Sequence, residues 1–443
     1  MTTPAPTNKI LWIKKHWHLR ENPFPSEAIA RLGGDDMREN GLLFDPHVQE
    51  DKVQEAAEKF VLGAAYGGLK FGFLWSLGTG IHGDARGFGK SSLMQYTVQD
   101  VNKDWGRDVF LRTGLEESDA AEHPMCAVLA SFDMANARSL NAVFFTATQY
   151  ACRFRTADDQ PTLAESVFKR LVDLVGSTDP SELRGAIERV QDQLRGRTLG
   201  APVETFLTLL CEGDMAAVAR HLENDVTEMK RTRSGALYLA TFLLMVKAAG
   251  LKHVLLCCDQ LEDFASTSTT KQKRTIEVER FRDYLLEIQP MSDMLSVVVT
   301  MHPRATQAIG DMWRLADLPS YDHDRAENQH RVVVLERISS TSKAKQLLAK
   351  YLERFRSGEA ETDDLYPFTD EAVETIRARS DGKPRDILRR AHALIDRGAT
   401  ENWDLIDAVN ALRVLDSFAE ADEDDDLIYA VRSSTLSSPF SED

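Results

Sequence analysis

An apolar run, a glycine-rich turn and the start of a helix follow one another between residues 70 and 96, and that order constrains the chain more than any other feature. Lys70-Phe-Gly-Phe-Leu-Trp-Ser-Leu reads as a buried strand. The turn is Gly83-Asp-Ala-Arg-Gly87-Phe88-Gly89-Lys90-Ser91-Ser92, and Ser91-Ser-Leu-Met-Gln-Tyr opens a helix. Glycines carry no Cβ, so backbone N–H groups can wrap phosphate oxygens closely. Lys90 is placed to bridge β- and γ-phosphates, the Ser91 hydroxyl to hold Mg²⁺, and the helix start to add its dipole. The ligand expected is ATP, or another nucleoside triphosphate, with magnesium, on Gly87, Phe88, Gly89, Lys90, Ser91 and Ser92. The usual spacing of such a loop puts its first glycine at position 84. Here that residue is Asp84, and Gly83 comes one place early.

A second acidic element supports this reading. His253-Val-Leu-Leu-Cys-Cys-Asp259 is an apolar strand ending in a carboxylate, as a Walker B element is. Asp259 is expected to orient the magnesium water shell. The next residue, Gln260, is a neutral amide and a poor base, which leaves Glu262 or Asp263 to act in hydrolysis. Glu262 is the expected catalytic carboxylate.

Further apolar runs at Met125–Phe132, Leu295–Thr300 and Arg331–Leu335 alternate with helical patterns such as Glu277–Ile288. Short buried strands between helices predict an α/β fold, a parallel sheet covered on both faces. The expected organisation is an N-terminal lead-in (1–60), a P-loop core (61–335) with a helical insertion at about 156–235, a helical lid (336–415) and an acidic, mobile tail (416–443). Two stripes mark the helical domain: Leu347, Leu348, Tyr351, Leu352 and Phe355, then Ile387, Leu388, Ala391, Leu394 and Ile395.

The net charge of −17 argues against a surface that coats nucleic acid or anionic membrane. Nine acidic residues from Asp416 onward, against Arg432 alone, carry about half of it. Local basic groups remain: Lys9, Lys14, Lys15 and Arg20, and also Lys271, Lys273 and Arg274. Five cysteines without ligand spacing, with Cys257 and Cys258 inside an apolar strand, fit a reduced, cytoplasmic compartment. The first residues lack the apolar core of a signal peptide, and Ala236–Val246 is too short to span a bilayer. His16 and His18 flank Trp17 without further ligands.

With these pieces in order, the chain resembles an AAA+ ATPase, closest to the initiator, origin-recognition and transposition-regulator branch. Its Asp-Gln-Leu-Glu segment also resembles the STAND signalling ATPases. The resemblance covers roughly residues 60–415 and implies further roles. Thr300, ending its strand, becomes a sensor near the γ-phosphate. Arg385, in Gly382-Lys-Pro384-Arg385, becomes a second sensor on the lid, with Pro384 in the first helical turn. Arg325, favoured over Arg331, becomes an arginine finger acting in trans. Asn22-Pro23-Phe24 is similar to a lead-in that packs near the adenine. The resemblance also implies a homo-oligomer, a protein partner carrying the effector activity, and DNA initiation, transposition or defence against foreign DNA as the setting. The other class is a nucleotide-gated scaffold with little turnover. A P-loop kinase fits poorly, because the Gly382–Arg385 lid has no role there.

Overall fold

The computed structural model describes residues 9–27, 36–77, 87–131, 140–155, 160–194, 203–224, 234–261, 270–358 and 363–416. Gly83, Asp84, Phe132, Glu262, Asp263 and the tail after Asp416 lie outside these residues. Two compact units divide the chain: one takes 1–29, 45–49 and 337–443, the other 30–44 and 50–336.

The larger unit is an α/β core built on a parallel sheet. Its five strands are β1 (Phe71–Ser76), β2 (Met125–Ser131), β3 (His253–Asp259), β4 (Leu295–Met301) and β5 (Val332–Leu335). All pair in parallel, in the order β2-β3-β4-β1-β5. Parallel pairing gathers every strand's C-terminal end at one edge, where a ligand crevice forms in open α/β sheets.

Nearly every strand residue is buried, which a sheet covered on both faces requires. Alternate residues serve opposite faces. Phe71, Phe73, Val128, Leu256, Cys258 and Val297 pack under one helical layer. Leu74, Leu129, Leu255, Cys257 and Val298 pack under the other, with Phe60, Leu93 and Val98. Neighbouring Cys257 and Cys258 therefore face opposite helix layers. Burial pushes the Cys257 thiol up to about 12 and raises Cys258 as well, so both stay protonated.

Between β2 and β3 the described residues form helices Asn141–Arg153, Leu163–Val175, Pro180–Gln193, Glu204–Glu212, Met215–Asn224 and Gly235–Ala248. Local signals delimit them. Thr162 and Glu165 form a capping box, and Asp179 caps a helix opened by Pro180. The extra helices share one apolar cluster with the sheet through Val167, Leu171, Ile187, Phe206 and Leu210. Gly235 is required where this layer closes: a Cβ there would lie 2.3 Å from the Asn141 carbonyl oxygen.

The smaller unit is helical, built on Lys9–His16, Thr341–Phe355, Asp370–Arg379 and Pro384–Glu401. Every member of the two apolar stripes is buried. Phe24 is fully buried in the same unit, its ring centroid 5.9 Å from Tyr351 and 6.0 Å from Phe368. The Asn22 amide donates to the His392 carbonyl at 3.0 Å, and Asn22 Oδ1 accepts from Phe24 N–H at 3.2 Å. The Asn-Pro-Phe segment thus serves as a core anchor of the helical unit.

Candidate nucleotide-binding site

At the C-terminal edge of the sheet, three sequence-distant residues meet. Asp259 ends β3 and is only 3% exposed. Its Oδ2 accepts a hydrogen bond from the Ser91 hydroxyl, and its Oδ1 accepts one from the Thr300 hydroxyl at 2.8 Å. The sheet register makes this possible. Cys258 pairs with Val299, so Asp259, the last residue of β3, stands level with Thr300, one residue before the end of β4.

Ser91 arrives from the other side. The helix Lys90–Asp104 begins directly after Gly89, which stands in the left-handed region at φ 90°. Gly87 is also left-handed, at φ 81°. L side chains rarely adopt such dihedrals, so the loop's two glycines are demanded by backbone conformation. Phe88 between them is 1% exposed and packs into the apolar layer with Leu93 and Met94, fixing the loop to the core. Lys90 donates to the Ser76 hydroxyl at 2.5 Å, joining the helix start to the end of β1. Ser92 is half-buried on the first turn.

Sequence reasoning missed two hydroxyls here. Ser76 and Ser131 are buried residues ending β1 and β2. The Ser131 hydroxyl donates to Gln260 Oε1 at 3.2 Å, from a strand position paired with Asp259. Gln260 itself is left-handed at φ 59°. Its N–H is shared between Asp259 Oδ1 at 3.1 Å and Thr300 Oγ1 at 3.2 Å. Their common signal is a hydroxyl at the last position of an apolar strand.

The donor set fits the expected ligand. A serine hydroxyl beside a carboxylate offers the hard oxygen ligands that magnesium takes. A lysine at a helix N-terminus after two left-handed glycines offers the positive charge and open backbone that phosphate takes.

The arginines are placed differently. Arg325 precedes the short helix Ala326–Arg331, 59% exposed, paired with Asp322 at 2.9 Å and Glu327 at 3.5 Å. Arg331 donates to Asn328 Oδ1, and burial lowers its pKa. Arg385 lies in the first turn of Pro384–Glu401, in the smaller unit, its Nε donating to the Glu27 carbonyl at 3.4 Å. Among the described residues, no cluster of three or more His, Cys, Asp or Glu has metal-binding geometry, and no helix is long and apolar enough to cross a membrane.

No protein-family model and no curated protein matches the chain. Among solved structures it is similar to the Aeropyrum pernix ORC2 protein in its ADPNP–ADP complexes. That likeness has a TM-score of 0.41 and 9% identity, over 86% of this chain and 72% of that one. Similarity of this degree assigns no activity.

Proposed function

We propose that the chain is a nucleotide-dependent ATPase of the AAA+ kind, binding ATP with magnesium at the loop Gly87–Ser92. One observation carries the reading: Ser91 and Thr300 converge on the buried carboxylate of Asp259. A strand-end aspartate that merely capped a turn would have no reason to gather a hydroxyl from the glycine-loop helix and another from the adjacent strand. Gly87, Phe88, Gly89, Lys90, Ser91 and Ser92 hold the phosphates, and Ser91 and Asp259 hold Mg²⁺. The bound metal supplies neutralisation of phosphate charge; Lys90 adds its own, and Thr300 keeps the Asp259 carboxylate oriented.

In the same reading Glu262 acts on the attacking water, Arg385 senses nucleotide from the helical unit, and Arg325 completes a neighbouring copy's site in a homo-oligomer. A protein partner carries the effector activity, with DNA as the setting. The support for these roles is sequence resemblance. The competing reading, a scaffold latched by ATP with little turnover, is favoured by the neutral Gln260.

Binding of a fluorescent ATP analogue with and without Mg²⁺ tests the core of the proposal. Lys90→Ala should weaken binding at least tenfold, and Asp259→Asn should remove most of the magnesium dependence. Analogue binding unchanged in Lys90→Ala would sink it. Turnover measured with and without DNA, with light scattering for assembly and Glu262→Gln and Arg325→Ala for their roles, separates motor from latch.

A further inference from the structure

Gln260 occupies the position after the buried carboxylate, yet its backbone and side chain are both held. The N–H bonds to Asp259 and Thr300, and the amide oxygen accepts from Ser131. The left-handed backbone is uncommon for a residue with a long side chain, and these bonds hold it there. A residue that only filled the end of a strand would need none of this. Glutamine cannot accept a proton from water at neutral pH, but its amide can orient one through a hydrogen bond.

We propose that Gln260, aimed by Ser131, and not the carboxylate of Glu262, positions the attacking water at this site and makes its turnover intrinsically slow. The proposal rests on the nucleotide-site reading above. The water oxygen bonds to the γ-phosphorus as the bond from that phosphorus to the bridging oxygen breaks. The water's proton leaves on the released phosphate or to solvent, and residue 260 keeps the same protonation throughout. A protein so equipped holds its triphosphate state far longer than one with a carboxylate at this position, and it reports time spent loaded. Ser131 acts only through Gln260 and is a positioning residue.

The test uses the full chain with Gln260→Ala, Gln260→Glu, Ser131→Ala and Lys90→Ala. Steady-state kcat and KM are measured for ATP, together with affinity for a non-hydrolysable ATP analogue and for ADP with aluminium fluoride, which mimics the phosphoryl group in transfer. Gln260→Ala should lower kcat about tenfold with KM unchanged. It should weaken ADP–aluminium fluoride binding about tenfold, leave the analogue's affinity as in wild type, and be followed in the same direction by Ser131→Ala. Gln260→Glu should raise kcat tenfold or more and add a new acidic limb to its pH profile, because a general base contributes about 10²–10⁴-fold. The same kcat and ADP–aluminium fluoride affinity in Gln260→Ala as in wild type, or a Gln260→Glu enzyme no faster than wild type, overturns the proposal. Loss of analogue binding in Lys90→Ala alongside that result places the failure in Gln260 alone. Retention of binding in Lys90→Ala places it in the site itself.

Discussion

Thr300 shows how much one side chain can hold. It is 1% exposed, donates to Asp259 Oδ1 at 2.8 Å and accepts the Gln260 N–H at 3.2 Å. Thr300→Val keeps the shape and removes both bonds, leaving a buried carboxylate oxygen with one donor fewer. Loss of a hydrogen bond to a buried charged group costs about 1.5–3 kcal/mol. Chemical denaturation should show a stability loss in that range, and the variant should need more Mg²⁺ for nucleotide binding; a Mg²⁺ titration matching wild type would remove Thr300 from the site. Asp259 and Thr300 were legible because a polar residue ending an apolar run stands out. Ser76 and Ser131 were not, because a serine there looks the same whether it meets solvent or a side chain of another element. For Ser131 the partnership is made by the register, which brings it beside Gln260, 129 positions along the chain.

Among the elements, the strands were legible to within about one residue, since four- to seven-residue apolar runs bounded by polar residues leave little freedom. The helix read from Glu277 begins earlier, at Lys271. Its first turn is polar and basic, so hydrophobic period was silent there, and the start is set instead by the Thr270 side chain accepting from Lys273 N–H. Less visible still was the close seating of β1. A Cβ on Gly72 would lie 2.8 Å from one Phe60 ring carbon, 2.9 Å from another and 3.2 Å from Val298. Phe60 belongs to a π-helical stretch, Ala57–Leu62, and two of its ring carbons occupy the space that a side chain on Gly72 would need. Gly72→Val therefore overfills this face. Overpacking typically costs about 1–3 kcal/mol, and chemical denaturation should show that loss. Gly72→Val with Phe60→Leu should recover part of it, whereas an undiminished penalty in the pair would mean the strand, and not the ring, resents the side chain.

For the whole molecule, alternation of strands and helices made a parallel α/β sheet legible, but the strand order was not, because neighbours are chosen by long-range packing that leaves no local mark. The division of the first 60 residues between two units was equally silent. One global property follows from the end of the sheet opposite the candidate site. His253 opens β3 beside His123, ring centroids 6.2 Å apart, and Tyr66 lies 4.5 Å from His123 on its own side. Burial first, then the charges of His123 and Lys252, lower the His253 pKa to about 4. In the unfolded chain the imidazole titrates near its ordinary value of about 6.5. Above that pH the ring is neutral in both states and stability is unaffected. As pH falls from 6.5 toward 4, the unfolded chain binds a proton that the folded chain refuses, so stability declines. His253→Gln removes that proton from the balance. Between pH 7 and pH 5 its melting temperature should fall less than that of wild type, by about 1–3 °C, a margin kept small by the ring's partial exposure to solvent. The two proteins should melt in parallel between pH 7 and pH 8. An equal fall in both on the acid side would show that the acid sensitivity belongs to other groups and that His253 is protonated within the folded sheet.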